Sequence, residues 1–270
     1  MTLGPGSVLL FDVDGVLTDE HARVDVSVVG LILEAVQRGS EVAFITGRSR
    51  SWLEANLVSA IVALGGEPYS AAFRFAAEMG ALRLGQSTGF VWGQSEEHSV
   101  PRVLRETLIP LPAQRKLEDL IEWDATKEAT ATFESLHRPY VPGHAARARE
   151  ALAGLLPECE ALAGNHGCRA ALSTYALDVL APSLSKRVGA EFAIGDIGDS
   201  SRHSAVFVFG DSPGDLVMAE RARGMTSGEI EFVWVGRGPA PLTTEFLVVS
   251  SALPHAPGTG TVLRELLTAE

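Results

Sequence analysis

The run Ser7-Val8-Leu9-Leu10-Phe11 is apolar after its first residue and stops at Asp12-Val13-Asp14-Gly15. A short apolar run bounded by a turn signal reads as a strand buried on both faces, and such strands belong to parallel sheets covered by helices. A strand that stops at Asp-x-Asp-Gly delivers two carboxylates to the crevice above its sheet, and Gly15 permits the sharp exit. A second run, Ala205-Val-Phe-Val-Phe209, leads into Gly210-Asp211-Ser-Pro-Gly-Asp215. Four carboxylates at two strand ends are hard to hold together without a cation. The first expectation is a Mg²⁺ site for phosphoryl chemistry.

The flanking pattern supports a parallel sheet. Val28-Val29, Ile32-Leu33 and Val36 recur at helical spacing up to Gly39. Glu41–Ile45 reads as the next strand, and Trp52, Leu53, Leu57 and Ile61 mark another helix. That βαβα order implies helices on both faces of the sheet. The middle of the chain differs. Strand-like pieces at Gly89–Trp92, Ala129–Phe133 and Ala170–Leu180, with helical pieces at Val100–Leu108 and Ala145–Leu155, suggest a separate insertion with a mostly antiparallel sheet. After Pro182 the parallel pattern returns: helix Leu184–Ile194, strand Ala205–Phe209, helix Pro213–Ala222, strands Ile230–Val235 and Phe246–Val249, and a closing helix Gly260–Leu267. The expected fold class is α/β, a Rossmann-like parallel-sheet core (1–80 and 181–270) with an inserted α+β domain (81–180).

The 270-residue chain carries a net charge of −12, which argues against nucleic acid or an anionic membrane as main partner. No apolar stretch approaches the roughly 20 residues of a membrane span. The first residues lack a basic segment, so no signal peptide is expected. Cys159 and Cys168, the only cysteines, show no metal-binding spacing, and a reduced cytoplasmic protein is expected. No hydrophobic stripe stands out as an interface, and oligomeric state is open.

Each candidate also has an ordinary reading. Asp12 and Asp14 resemble a turn pair, but a carboxylate can also attack phosphorus to form an aspartyl-phosphate while a neighbouring acid moves the proton. Thr46 suits a helix N-cap, and a helix N-terminus after a strand, with Gly47, is a ready phosphate site. Arg48 either adds charge there or lies on the surface. Lys186 reads ordinarily as a solvated surface lysine, but it sits in the first turn of a helix, where a cation opposes the helix dipole, a broken rule expected where a site needs the charge. Ser212 and Pro213 suit a helix start that explains Asp215 but makes little use of Asp211. In open parallel sheets ligands bind beyond the carboxyl ends of the strands, and all four motifs fall at strand or helix ends.

On Asp12-Val-Asp14-Gly-Val, Ile45-Thr46-Gly-Arg48, Ser185-Lys186 and Gly210-Asp211-Ser-Pro-Gly-Asp215, the chain resembles the haloacid dehalogenase-like hydrolases, a superfamily dominated by Mg²⁺-dependent phosphatases. The insertion between Thr46 and Lys186 is similar in placement to the large α/β cap of the sugar-phosphatase branch (sucrose-phosphate, trehalose-phosphate and mannosyl-3-phosphoglycerate phosphatases, and phosphomannomutase). Glu78-Met-Gly80-Ala81 resembles the Glu-Asn-Gly-Ala stretch that leads into that cap, with Met79 in place of Asn. Gly214 stands where many relatives have Asn. The opening string is also typical of capless sugar-acid phosphatases, which are shorter. The resemblance implies Asp12 as nucleophile, Asp14 as general acid/base, Thr46, Gly47 and Lys186 as phosphate-binding residues, and Mg²⁺ held by Asp12, the Asp14 backbone carbonyl, Asp211 and Asp215. It implies a phosphate-monoester hydrolase acting on a sugar phosphate. A phosphomutase, a non-catalytic sugar-phosphate sensor, and a phosphatase for a nucleotide or vitamin phosphate are the rivals. Lys127, Arg138, His166 and Arg169 are candidate substrate contacts in the insertion.

Overall fold

The computed structural model describes residues 3–19, 21–136, 138, 141–173, 175–198, 203–241, 243 and 245–269. The chain begins with β1 (Ser7–Phe11), α1 (Val26–Gln37) and β2 (Glu41–Ile45). Asp25 caps α1, its carboxylate accepting from the Ser27 and Val28 amides. Gly39, with φ of 94°, supplies the left-handed residue after the helix. The second helical stretch starts as α2 (Arg50–Trp52), widens into a π-helical segment (Leu53–Val58) and ends as α3 (Ser59–Ala63). Then come β3 (Phe73–Ala77), β4 (Leu82–Leu84) and β5 (Gly93–Gln94), where the chain leaves this unit.

The inserted unit, Gln94–Leu184, contains α4 (Arg102–Leu108), α5 (Leu111–Gln114), β6 (Ile121–Trp123), β7 (Ala131–Ser135), α6 (His144–Gly164), β8 (Arg169–Leu172) and β9 (Ala176–Leu180). Its sheet, ordered β6-β7-β9-β8, is antiparallel throughout. Phe133, Leu177 and Val179 from one face of the sheet pack against Leu152, Leu155 and Cys159 of α6. The opposite face carries Thr132 and Asp178 as a directly opposed pair.

The chain then returns to the first unit with α7 (Lys186–Ile197), β10 (Ala205–Gly210), α8 (Leu216–Arg223), β11 (Glu229–Trp234), β12 (Leu247–Ser250) and α9 (His255–Thr268). The sheet order is β12-β11-β10-β1-β2-β3-β4-β5. The strands from β12 to β3 are parallel, and β4 runs antiparallel to β3. From β1 the chain builds outward through β2 and β3; from β10 it builds the other way through β11 and β12. The reversal lies between β1 and β10, the place where open α/β sheets bind ligands. There Phe11 stacks on Phe209 with ring centroids 4.6 Å apart and on Phe44 at 5.9 Å, which fixes the ends of three neighbouring strands.

The parallel core and the antiparallel insertion agree with expectation, but the boundaries move. The chain stays with the first unit through Gly93 rather than residue 80, because β4 pairs back onto β3. It rejoins at Ser185 rather than 181. Gly89–Trp92 forms turn and bend instead of a strand. The piece at 170–180 is two paired strands, β8 and β9. Residues expected to stop α6 near Leu155 do not: the helix runs on through Pro157 to Gly164, with buried Cys159 and Ala163 holding its last turns to the sheet. Among the described residues no helix is long and apolar enough to cross a membrane.

Glu78, Met79 and Gly80 follow β3 with consecutive left-handed φ angles of 48°, 61° and 99°. Gly80 meets α7 closely, since a Cβ there would lie 2.6 Å from the Gly189 Cα. Asn tolerates that backbone region far better than Met. Met79→Asn is therefore expected to raise stability by about 0.5–1 kcal/mol and Met79→Val to lower it by a similar amount or more, as read by urea denaturation midpoints.

Candidate active site

The Asp12 amide donates to the Phe209 carbonyl at 3.0 Å, so the ladder between β1 and β10 runs to the first acid. Asp12 is 3% exposed and Asp215 0%. Lys186, the first residue of α7, places Nζ 2.7 Å from Asp12 Oδ1 and 2.6 Å from Asp215 Oδ1. The helix reaches this depth because Gly189 lies against Ile45, where a Cβ would come within 2.6 Å of the Ile45 Cγ2.

Asp215 is held from both sides. Its Oδ2 accepts from the Asp211 amide at 3.1 Å, the Ser212 amide at 2.9 Å and the Ser212 hydroxyl at 2.8 Å. This capping box with Pro213 at the first helical position is the start that the sequence suggests. Asp211 closes the group from above. Gly15, with φ of 71°, passes so near that a Cβ there would sit 2.1 Å from Asp211 Oδ2.

Asp12, Asp211 and Asp215 each offer a carboxylate oxygen, all within 4.8 Å of one another. Burial pushes the Asp12 carboxyl well above its ordinary value, Lys186 opposing and Asp215 adding to the rise. Burial and Asp215 likewise raise Asp211. Burial works against the Lys186 charge, but Asp12 and Asp215 outweigh it and raise its pKa. Three carboxylates against one ammonium leave an excess of negative charge in an all-oxygen donor set. That set fits a hard divalent cation.

Asp14 stands apart from this triad. Its carboxylate takes two bonds from Arg48, Nη2 to Oδ1 at 2.7 Å and Nε to Oδ2 at 2.9 Å. Arg48 also lies over the Trp52 ring, 5.0 Å from its centroid. Arg48, its side chain 29% exposed, is thus paired with the second candidate acid. Thr46 is fully buried at the end of β2, and its hydroxyl accepts from the Arg48 amide at 3.1 Å. The cap of α2 is Ser49, which accepts from the Trp52 amide, and not Thr46. Gly47 follows Thr46 in the same turn.

His255 was not anticipated. The Pro and Gly residues around it hide the first turn of α9, which begins at His255 rather than near Gly260. Its Nδ1 lies 3.1 Å from the Gly15 carbonyl and 3.8 Å from Asp211 Oδ2. Of the four insertion candidates, Lys127 and Arg169 both act on Asp178. Lys127 is buried in the connection from β6 to β7, Arg169 donates to the Leu184 carbonyl at 2.7 Å, Arg138 lies 3.9 Å from Asp119, and His166 is exposed in the turn after α6. Asp178, also unanticipated, accepts from the Thr132 hydroxyl at 2.7 Å; burial raises its carboxyl, with Lys127 and Arg169 opposing.

The sequence matches no protein-family profile and no curated protein. Its fold matches solved structures over nearly the whole chain. The C-terminal domain of trehalose-6-phosphate phosphatase from C. albicans aligns at TM-score 0.66 with 16% identity, covering 96% of this chain and 92% of that one. A haloacid dehalogenase-like hydrolase from Bacteroides thetaiotaomicron aligns at TM-score 0.63 with 11% identity, covering 97% and 99%. The sucrose-phosphatase of Synechocystis sp. PCC6803 aligns at TM-score 0.56 with 14% identity, covering 97% of each chain. The fold is that of the haloacid dehalogenase-like hydrolases. The carboxylates of this chain stand at the switch point of that fold, between β1 and β10.

Removing the ammonium leaves two buried carboxylates without their counter-charge. Lys186→Met is expected to destabilise the metal-free protein by about 3–5 kcal/mol. Thermal melts with and without a divalent cation check this, the cation restoring part of the loss.

Proposed function

We propose that the protein is a Mg²⁺-dependent phosphatase that hydrolyses a phosphate monoester through an aspartyl-phosphate on Asp12. The observation that carries this reading is the buried Asp12 carboxylate, paired with Lys186 and grouped with Asp211 and Asp215 at the sheet's switch point. A capping or turn role accounts for Asp215 and Asp14 but gives no reason to bury Asp12 and Lys186 together.

Asp12 attacks phosphorus in line, forming the Asp12 oxygen–phosphorus bond and breaking the bond to the leaving oxygen. Asp14 gives the leaving oxygen its proton, then takes one from the water that attacks the aspartyl-phosphate. That second step releases inorganic phosphate and restores Asp12. Lys186 stays within reach of the oxygens that gain charge, and the Thr46 hydroxyl with the Gly47 turn receives the phosphoryl group. The Asp12 and Asp211 carboxylates and the Asp14 backbone carbonyl would hold Mg²⁺, with Asp215 acting directly or through water. The four donors to Asp215 favour the water-mediated arrangement. When bound, the ion neutralises charge on the transferring phosphoryl group. A sugar phosphate is the favoured substrate class, supported by the trehalose-6-phosphate and sucrose phosphatases among the structural matches.

Phosphate release from a panel of sugar phosphates, with Mg²⁺ and with EDTA, tests the reading. Activity is expected only with Mg²⁺, and Asp12→Asn abolishes it. Asp14→Asn is expected to lose about 10²–10⁴-fold on sugar phosphates, whose leaving oxygen needs a proton, and much less on p-nitrophenyl phosphate. Transfer of the phosphoryl group to a second hydroxyl without free phosphate would instead favour a mutase. No turnover by a folded, Mg²⁺-bound protein would favour a sensor.

Raised carboxyls keep their protons to higher pH, and a metal must displace those protons. Mg²⁺ affinity should therefore fall as pH drops through the range above 3.8 where Asp12 and Asp211 titrate. Calorimetry in buffers of different ionisation enthalpy is expected to show proton release on binding, larger as pH is lowered into that range.

A further inference from the structure

The first turn of α9 touches the turn that leaves β1 at two points. The His255 ring meets the Gly15 carbonyl at 3.1 Å, and the Thr259 hydroxyl donates to the Val16 carbonyl at 2.7 Å. His255 and Thr259 are one helical turn apart, so a single face of the helix holds two successive carbonyls of the segment after Asp14. His255 adopts a left-handed backbone, φ 60°, and its amide donates to the Val235 carbonyl at 2.6 Å. A bulky side chain in that conformation is strained and persists where its surroundings over-determine it.

The ring has one readable tautomer. A carbonyl oxygen only accepts, so Nδ1 carries the proton toward Gly15. Arg237 Nε donates to His255 Nε2 at 3.2 Å, and a guanidinium only donates, so Nε2 is the bare nitrogen. The Nδ1–H edge also faces Asp211 Oδ2 at 3.8 Å. Gly15 is the residue whose missing Cβ leaves room for Asp211. The ring therefore meets both the turn that Asp211 packs against and Asp211 itself.

We propose that His255, oriented by Arg237, is a positioning residue that sets Asp211 and the Gly15 turn for binding the divalent cation. This rests on the metal site proposed above. Partners that orient metal ligands from behind are typically worth about 10–100-fold in metal affinity or activity.

Mg²⁺ titration calorimetry on the full chain tests it, with the thermal midpoint of each metal-free variant measured alongside. His255→Gly removes the ring while accepting positive φ, and is expected to weaken Mg²⁺ binding about 10-fold or more with little change in midpoint. His255→Asn tolerates the same backbone and returns an N–H near the Nδ1 position, and is expected to stay within about 3-fold of wild type. Thr259→Val, which cuts the other link to the β1 turn, should lower the midpoint and leave Mg²⁺ affinity unchanged. Arg237→Met provides a test that does not depend on the folding of His255→Gly. Loss of a nearby positive charge alone would tighten cation binding, whereas loss of ring orientation weakens it. Wild-type affinity in His255→Gly, affinity in His255→Asn as weak as in His255→Gly, or tighter binding in Arg237→Met would overturn the proposal. Absence of Mg²⁺ binding by the wild-type protein would overturn the metal site and this proposal together. Phosphate release by the wild type reports separately on the phosphatase reading.

Discussion

The contact of Lys186 with Asp12 and Asp215 is the constraint on which the site depends. An ion taken from water into a protein costs several kcal/mol, and only close, well-bonded partners offset that cost. Asp12 and Asp215 are almost wholly buried and share one ammonium at 2.7 and 2.6 Å. Three elements must therefore meet to within hydrogen-bond distance: the end of β1, the start of α7 and the loop after β10. Gly189 lets α7 approach the sheet, and the Asp215 capping box fixes the loop. A lysine in the first turn of a helix opposes the helix dipole, and here the two carboxylates outweigh that penalty.

The same group is under-compensated. Asp211 joins it across the Gly15 turn, and three carboxylates face one lysine. Burial raises the Asp12 and Asp211 carboxyls, with Lys186 opposing the rise in both. A hard divalent ion would supply the missing charge, and the all-oxygen donors suit one. Asp14, two residues beyond Asp12, adds to the rise of both carboxyls, and its own carboxylate is held by Arg48. Two acids two residues apart thus meet different environments, the usual physical basis for dividing nucleophilic and proton-transfer roles.

The legible parts of the sequence were those with strong local signals. The runs ending at Phe11 and Phe209 are strands because five consecutive apolar or small residues can be buried only between two layers of helices. Ser212-Pro213 and Asp215 describe their own capping box. The misread segments were those where packing overrode local preference. Pro157 did not end α6, because Cys159 and Ala163 still had a sheet to cover. Pro254, Pro257 and Gly258 obscured the start of α9, and with it His255. Arg48 carried no local signal for its role, since its partner lies 34 positions away in the chain.

The sequence by itself determined the parallel core, the antiparallel insertion and the acids, threonine and lysine that stand at element ends, because apolar periodicity and turn chemistry are local properties. Only the tertiary structure decided how those ends combine. It put Lys186 between Asp12 and Asp215, tied Asp14 to Arg48, moved the helix cap from Thr46 to Ser49, and brought His255 against Gly15 and Asp211. The physical reason is that charge pairing acts through space over a few ångströms. Residues near opposite ends of the chain become neighbours only when the sheet reverses between β1 and β10 and the helices close onto it.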